Sequence, residues 1–454
     1  MSAPNVSLYR QRQGVGIVRP TSADQVGRIL LACAGKPGLA GVQAVCTGRN
    51  WGLGSSEAVQ DRTIRLDLSR MDAIREIDEE HGWAIVEPGA TQLQLAKHLA
   101  GSRRMLNVTA SSGHSSVLGN ALDRGVGLRR QRTDDLIGLE VVLPDGEQIR
   151  VGWWPNADRS NSRNPMGLGP ALLPLFTQSN LGVVTAGVVA LLPRPERQCV
   201  MRLAFRKERL ADAVDELRRW YANGLVDGVL KIYDTTSTES YGGRAGEHLV
   251  FLCLSGTVHR VEALAGVVEE EARDSGLFTE TTRLESVERD DGDYVTRVVE
   301  SAFGGDPSWN EHMLRSALGT DADSADEKGG GWRFFLPFIH FNGESIERAL
   351  ALLDQVWRET GIRPGSTVNA LNADVIDLVV SFRFPRDKDW AAKADRALDR
   401  TYELFAAAGF YAYRLDIDHS EWYEKLMPDG ARSLVKRLKQ LLDPQGVIAA
   451  GRYA

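Results

Sequence analysis

The chain reads as a mixed helix-and-sheet protein of α+β class, organised in two main parts. Three observations predict this. Short apolar runs bounded by Gly or Pro alternate with amphipathic helical patterns through residues 15–110. A hairpin signature occupies residues 135–152. Beyond about residue 197 the text changes character, and long charged helical patterns separate isolated strands.

The elements follow in order. Val15–Val18 reads as a strand, and Pro20-Thr21-Ser22-Ala23-Asp24 caps an amphipathic helix running to Ala34. Strands are expected at Val42–Thr47, Thr63–Leu66 and Trp83–Val86. Thr91 caps a helix over Gln92–Ala100. In the hairpin, Pro144-Asp145-Gly146 turns between two β-rich runs, and residues 181–193 give one more strand, ended by Pro193 and Pro195. From 197 to 410, strands at Val200–Phe205, Leu249–Leu254, Trp332–Phe341 and Asp377–Phe384 point to an antiparallel sheet under packed helices. Residues 304–331, rich in Gly, Asp and Ser, read as a mobile loop. A last helix is expected over Glu421–Leu442, stopped by Asp443-Pro444.

With 454 residues, 43% hydrophobic and 25% charged, the chain has material for two or three domains with a sizeable core. The net charge of −7 gives no electrostatic reason for a nucleic-acid or anionic-membrane partner. Cys33, Cys46, Cys199 and Cys253 stand far apart, so buried free thiols are expected rather than a disulfide framework or a zinc site. No apolar stretch reaches the ~18 residues of a spanning helix, and the first residues, MSAPNVSLYRQRQG, lack the pattern of a secretory signal. A cytoplasmic protein without a membrane, nucleic-acid or metal partner is expected.

Four Gly-containing turns carry the chemistry: Thr47–Gly54, Pro88–Thr91, Ser111–Gly113 and Leu118–Gly127. Gly allows positive φ and close approach of backbone to a ligand. Successive turn N–H groups then hold a pyrophosphate without a lysine. Neither GxGxxG nor GxxxxGK[ST] is present. Each turn alone is ordinary punctuation; four of them between strands in one region favour a dinucleotide site.

Thr47–Gly54, Glu87-Pro88-Gly89, Gly119–Gly127, Leu139–Gly146, Leu175–Thr185 and the closing Leu442–Arg452 stand in an order and spacing that resemble the vanillyl-alcohol oxidase and p-cresol methylhydroxylase flavoproteins. The similarity covers nearly the whole chain and is weakest across 205–330. It implies FAD and a two-part, PCMH-type FAD-binding domain over residues 1–198. An inserted α/β cap domain over 199–408 would cover the flavin, with 409–454 returning to the FAD domain. It also marks cofactor-binding candidates: Thr47, Gly48, Arg49, Asn50, Trp51, Gly52, Pro88, Gly89, Ser111, Ser112, Gly113, His114, Gly119, Asn120, Gly125, Gly182, Val183 and Val184.

Four candidate catalytic residues follow from the same resemblance. Tyr413 and Arg414 match a pair that holds a substrate phenolate, where a hydroxyl and a guanidinium stabilise an oxyanion and push electrons toward the carbon losing hydride. Asp123 matches a carboxylate beside the flavin that serves in redox tuning and proton handling. Arg452 matches a basic residue at the flavin pyrimidine ring, stabilising the reduced form. The residues alone also allow a surface Tyr-Arg pair, an Asp bonded to turn amides and a solvated terminal Arg. His340 reads as a structural strand residue or as one aimed at the site.

The departures shape the expectation. Leu53 stands where phenol-oxidising members have a third clamp residue, a Tyr, and Leu128-Arg129-Arg130 replaces a Tyr-Thr-Pro run. Trp332 stands where histidyl-flavin members have His, residues 315–324 contain no Tyr, and the Cys and His of doubly linked members are absent. FAD is therefore expected to be non-covalent. Asn369, Asn372 and Asp374 are candidates to line a polar pocket. The expected activity is FAD-dependent hydride removal from a benzylic, allylic or alcohol carbon of a small, phenolic substrate. Electrons then pass to O2 or another acceptor, in a homodimeric oxidase or dehydrogenase. Leu53 and Arg129-Arg130 leave open a polyol, sugar or 2-hydroxy acid, and the incomplete clamp leaves open a non-catalytic flavin-binding subunit.

Overall fold

The computed structural model describes residues 5–284 and 294–453. They form two compact units. The first comprises residues 1–126, 131–193 and 415–454; the second comprises 127–130 and 194–414.

The first unit contains two principal sheets. In the smaller, β1 (Gly16–Val18), β3 (Thr63–Asp67) and β2 (Gly41–Val45) run parallel in that order. Helix α1 (Ala23–Cys33) starts where the Ser22 hydroxyl accepts the Gln25 N–H, and it buries Val26, Leu30 and Cys33. Their core neighbours are Val42 and Leu66, together with Val447 and Ile448 from near the chain's end. Each such side chain contributes roughly 1.5–3 kcal/mol by leaving water. Val42 pairs in parallel with Ile448, which ties the C-terminal segment to this layer.

The larger sheet is antiparallel, in the order β4 (Ile74–Asp78), β5 (Trp83–Val86), β9 (Val183–Ala190), β7 (Leu136–Val142), β8 (Gln148–Gly152). The central strands β5, β7 and β9 are buried at every position, which matches their mostly apolar text, broken only by Glu140 and Thr185. A two-residue ribbon pairs β6 (Arg104–Met105) with β10 (Leu192–Pro193). Two short helices belong here: α2 (Gln92–His98), opened by a Thr91–Gln94 capping box, and α3 (Val117–Leu122), capped by Ser116.

The second unit is built on one eight-stranded antiparallel sheet. Its strands are β11 (Arg197–Arg206), β12 (Asp227–Tyr233), β13 (Glu247–Gly256), β14 (Phe278–Arg283), β15 (Gly331–His340), β16 (Gly365–Ala370), β17 (Val375–Phe384) and β18 (Tyr411–Arg414). Their spatial order is β14-β11-β13-β12-β16-β17-β15-β18. Helices α4 (Leu210–Ala222), α5 (Val258–Ser275), α9 (Gly343–Thr360) and α10 (Lys388–Ala407) pack on it. Alternation along β17 tells the faces apart: Ile376, Leu378, Val380 and Phe382 are buried in the core, while Val375, Val379, Ser381 and Arg383 on the opposite face retain exposure. Asp377 breaks the pattern, being on the second face yet 1% exposed.

Two expectations are corrected. Residues 304–331 are not one loop: α7 (Asn310–Leu318) and α8 (Ala325–Lys328) lie inside them. Leu314 and Leu318, four residues apart, give α7 a buried stripe, and Gly319 ends it with φ +71°. The Gly and Ser residues there punctuate helices. The last helix is two, α11 (Trp422–Leu426) and α12 (Asp429–Leu442). Pro428 between them lacks an N–H and disfavours helical backbone at Met427. Between α5 and α7, α6 (Tyr294–Phe303) completes the helices of the second unit. Among the described residues, no helix is long and apolar enough to cross a membrane.

Candidate active site

In the first unit three of the four Gly turns meet at one residue, Ser116. Its N–H donates to Thr47 Oγ1 at 3.1 Å, and its hydroxyl donates to the Pro88 carbonyl at 2.5 Å while accepting the Gly119 N–H at 2.8 Å. The Ser111–Gly113 turn joins through two backbone bonds: Gln92 N–H to the Ser115 carbonyl and Leu93 N–H to that of Gly113. Ser111 and Ser115 share a hydroxyl hydrogen bond at 3.0 Å, and Ser112 accepts the His114 N–H at 3.1 Å. Sequence reading passed over Ser116 because a serine before a short helix signals a cap and nothing more.

These turns form a cradle of close backbone approaches. At Gly89 a Cβ would stand 2.5 Å from the Ser69 carbonyl oxygen, so only glycine fits. Gly48 and Gly52 have φ +70° and +80°. Trp51 is buried and Arg49 lies 5.5 Å from its ring centroid. Asn120 Oδ1 is shielded from solvent without a hydrogen-bond partner, 2.2 Å from where a Cβ at Gly125 would stand. Gly182 presses on Val141, and Val183 and Val184 enter the buried strand β9. Glycine-lined turns with an orphaned amide oxygen fit a dinucleotide such as FAD.

Asp123 ends α3 within this cradle. Asn50 Nδ2 donates to its Oδ2 at 3.3 Å, and the Tyr453 hydroxyl donates to its Oδ1 at 3.0 Å. Arg452 is anchored rather than frayed: its carbonyl accepts from Asn180 Nδ2 at 2.7 Å, and its guanidinium lies 5.0 Å from the Tyr453 ring centroid.

Tyr413 and Arg414 lie in the second unit, on edge strand β18 beside β15. A register shift at Leu336/Pro337 accompanies this pairing. The Tyr413 ring stacks on Phe338 at 4.0 Å between centroids, with 5° between planes. Cross-strand register then extends a polar row away from Phe338: Phe338 opposes Asp377, Asp377 opposes Asn369, and Asn369 opposes Lys231. Lys231 Nζ donates to Asn369 Oδ1, and Asn369 Nδ2 donates to Asp377 Oδ2 at 3.1 Å.

Electrostatics mark this row as unusual. Burial pushes the Asp377 carboxyl up to about 6, although Asn369, Lys231, Arg414 and the Tyr413 hydroxyl all favour its charged form. Burial also pushes Lys231 down to about 8, against the pull of Asp377. Asp377 Oδ1 is shielded from solvent and lacks a hydrogen bond of ordinary geometry, and the nearby Tyr413 hydroxyl favours the charged carboxylate. A buried carboxylate with one unsatisfied oxygen is poised to accept a proton or a hydrogen bond.

The polar-pocket expectation is half corrected. Asn369 belongs to the row, but Asn372 is an exposed turn residue whose Oδ1 accepts the N–H groups of Asp374 and Val375. Asp374 is exposed and pairs with Arg218 at 3.1 Å. Short polar side chains beside a tight turn bond their own backbone first. Arg129 spends its guanidinium on Phe303, Ser255 and Gln198, holding the second unit's loops. Leu53 is 2% exposed, His340 lies exposed at the end of β15, and Trp332 Nε1 donates to Ser381 at 2.8 Å. Lys231 and Asp377 were missed because single charged residues inside apolar strands carry no motif.

Comparison with known proteins points to an FAD-binding protein. A family model described as an FAD binding domain matches residues 15–152. A 1'-carboxy-chondrochloren decarboxylase of Chondromyces crocatus is 30% identical over 90% of this chain and 85% of its own length. The 4-cresol dehydrogenase [hydroxylating] flavoprotein subunit of Pseudomonas putida is 25% identical over 96% of this chain and 87% of its own. Among solved structures, a 4-ethylphenol oxidase from Gulosibacter chungangensis aligns with a TM-score of 0.86 at 20% identity, over 99% of this chain and 91% of its own. That likeness speaks to fold. Taken with the glycine cradle and the sequence relatives, it leads to one assignment: the chain belongs to the vanillyl-alcohol oxidase and p-cresol methylhydroxylase family of FAD-dependent oxidoreductases.

Proposed function

We propose that this enzyme oxidises a small phenol at the benzylic carbon of the substituent para to its hydroxyl, and that the Tyr413–Arg414 pair with Asp377 and Lys231 in the second unit binds that substrate. The carrying observation is the buried row that joins Lys231, Asn369 and Asp377 beside Tyr413 and Arg414. Arg414 and the Tyr413 hydroxyl orient the substrate oxygen and stabilise its anion. Asp377 takes the phenolic proton: the substrate O–H breaks, its electron pair stays on oxygen as phenolate, and a carboxyl O–H forms. Lys231, through Asn369, holds the carboxylate in the ionised state needed to receive that proton.

FAD, held by the glycine cradle of the first unit, accepts the hydride when bound. Thr47–Gly52, Pro88-Gly89, Ser111–His114 and Gly119–Gly125 would hold it, with Asp123 handling protons and Arg452 supplying positive charge. Non-covalent attachment is part of the proposal, motivated by Trp332 at the histidyl-flavin position, with its indole engaged by Ser381. Electrons leave to O2 or to another acceptor.

The test is anaerobic stopped-flow bleaching of the flavin against a panel. The panel holds 4-alkylphenols, the same phenols bearing a side-chain carboxylate, and 2-hydroxy acids and polyols. The carboxylated arm is motivated by the Chondromyces relative and by the cationic Lys231. Phenols with or without the carboxylate should bleach the flavin. Bleaching by hydroxy acids or polyols alone would sink the phenolic reading. Acid precipitation of the same preparation should leave the yellow colour in the supernatant; a yellow pellet would refute non-covalent attachment.

A further inference from the structure

Asp123 is held from both ends of the chain, and the second hold is costly. Tyr453 has φ +67°, a left-handed backbone that bulky side chains adopt only under constraint, at a cost of order 1–3 kcal/mol. The constraint is visible. Asp443 accepts the N–H groups of Val447 and Ile448 at 2.8 and 2.9 Å. The Lys439 ammonium donates to the carbonyls of Ile448 and Asn180. Ala449 N–H bonds the Val42 carbonyl, and Asn180 pins the Arg452 carbonyl. Gly451, with φ +78°, makes the last bend. All of this delivers one phenol hydroxyl to Asp123 Oδ1 at 3.0 Å.

The geometry points to Tyr453 as the positioning residue of Asp123, fixing Oδ1 so that Oδ2, under the longer 3.3 Å bond from Asn50, is the oxygen that exchanges protons. The assignment rests on the reading of Asp123 as a proton-handling group. The groups facing this carboxyl include Asn50 from the Thr47–Gly54 turn, Cys46 just after β2, and Tyr453 with Arg452 from the tail. Desolvation and the neighbouring Asp123 push Tyr453 up to about 12, so it stays a hydrogen-bond donor across the working range. Cys46 is pushed up to about 11, mainly by burial, and stays neutral there.

The experiment uses the full-length holoenzyme and Tyr453→Phe, which removes the hydroxyl and keeps the ring. Protonation of Asp123 is followed by the infrared carboxyl band that disappears in Asp123→Asn. Loss of a donor to the charged form should move that titration up by about one pH unit. A merely structural role for Tyr453 would lower the melting temperature and leave the titration in place, which would overturn the assignment. The pH profile of flavin reduction separates the underlying reading. If Asp123→Asn leaves the profile unchanged while Tyr453→Phe still shifts the band, the proton-handling role of Asp123 fails and the positioning contact stands.

Discussion

Replacing Asp377 by Asn should make the enzyme more stable near neutral pH and less active. Its folded-state pKa is raised from 3.8 to about 6 by burial, a change of roughly two units, or about 3 kcal/mol at 1.36 per unit. The sign follows from proton linkage. Below pH 3.8 the carboxyl is neutral in folded and unfolded chains and carries no penalty. As pH rises from there the unfolded chain ionises first, and stability is lost until the folded carboxyl ionises near 6. The asparagine of the variant cannot ionise and escapes that loss. Lys231 does not reverse the trend: its folded pKa is lowered from 10.5 to about 8, so its own penalty is already complete below that value. Arg414 and the exposed His340 are common to both proteins and cancel in the comparison. The assay is the melting temperature of wild type and variant holoenzyme from pH 4 to 7.5. The gap should move in favour of the variant by up to about 3 kcal/mol, or roughly 6–12 °C for a cooperative unit of 150–250 residues. Flavin reduction by a 4-alkylphenol should fall about 10²-fold or more, as loss of a positioned proton acceptor does. A gap that stays flat across this range would refute the claim that Asp377 is held charged at a cost in the folded protein.

Two further outcomes are expected. Arg414→Met should lower kcat/KM for 4-alkylphenols by roughly 10- to 150-fold, the worth of a hydrogen bond to a charged group, and an unchanged value would remove Arg414 from substrate binding. Gly89→Ala should lower both FAD content and melting temperature, because the new methyl meets carbonyl oxygens of Ser69 and Met71 at 2.5 and 2.9 Å. Such overpacking costs about 1–3 kcal/mol, and a variant with full flavin absorbance and unaltered melting would show that the 69–71 turn yields.

The glycine turns of the first unit were legible in the text because turn chemistry is local. Gly48, Gly52 and Gly89 announce positive φ or close approach, each within its own short turn, and the structure uses them so. Strands such as Trp83–Val86 and helix starts such as Ser22 and Thr91 were legible for the same reason. The break at Pro428 and the short helix over Asn310–Leu318 were misread, the first because amphipathic periodicity runs on across a proline, the second because Gly and Ser masked a two-leucine stripe.

The polar row of the second unit was a different matter. Tyr413 and Arg414 could be marked by resemblance, but nothing near them in sequence names Asp377, Asn369 or Lys231. Those residues come from three other strands, and only the cross-strand register of the eight-stranded sheet sets them in one row. The altered pKa values of Asp377 and Lys231 arise from burial, a property of the packed sheet and of no local segment. Tyr453 likewise meets Asp123 only because the C-terminal segment pairs with β2 far back in the chain. Local backbone preferences, carried by a few neighbouring residues, determined the glycine turns; desolvation and long-range register, which exist only once the sheets have formed, decided which charges are buried together in the second unit's sheet.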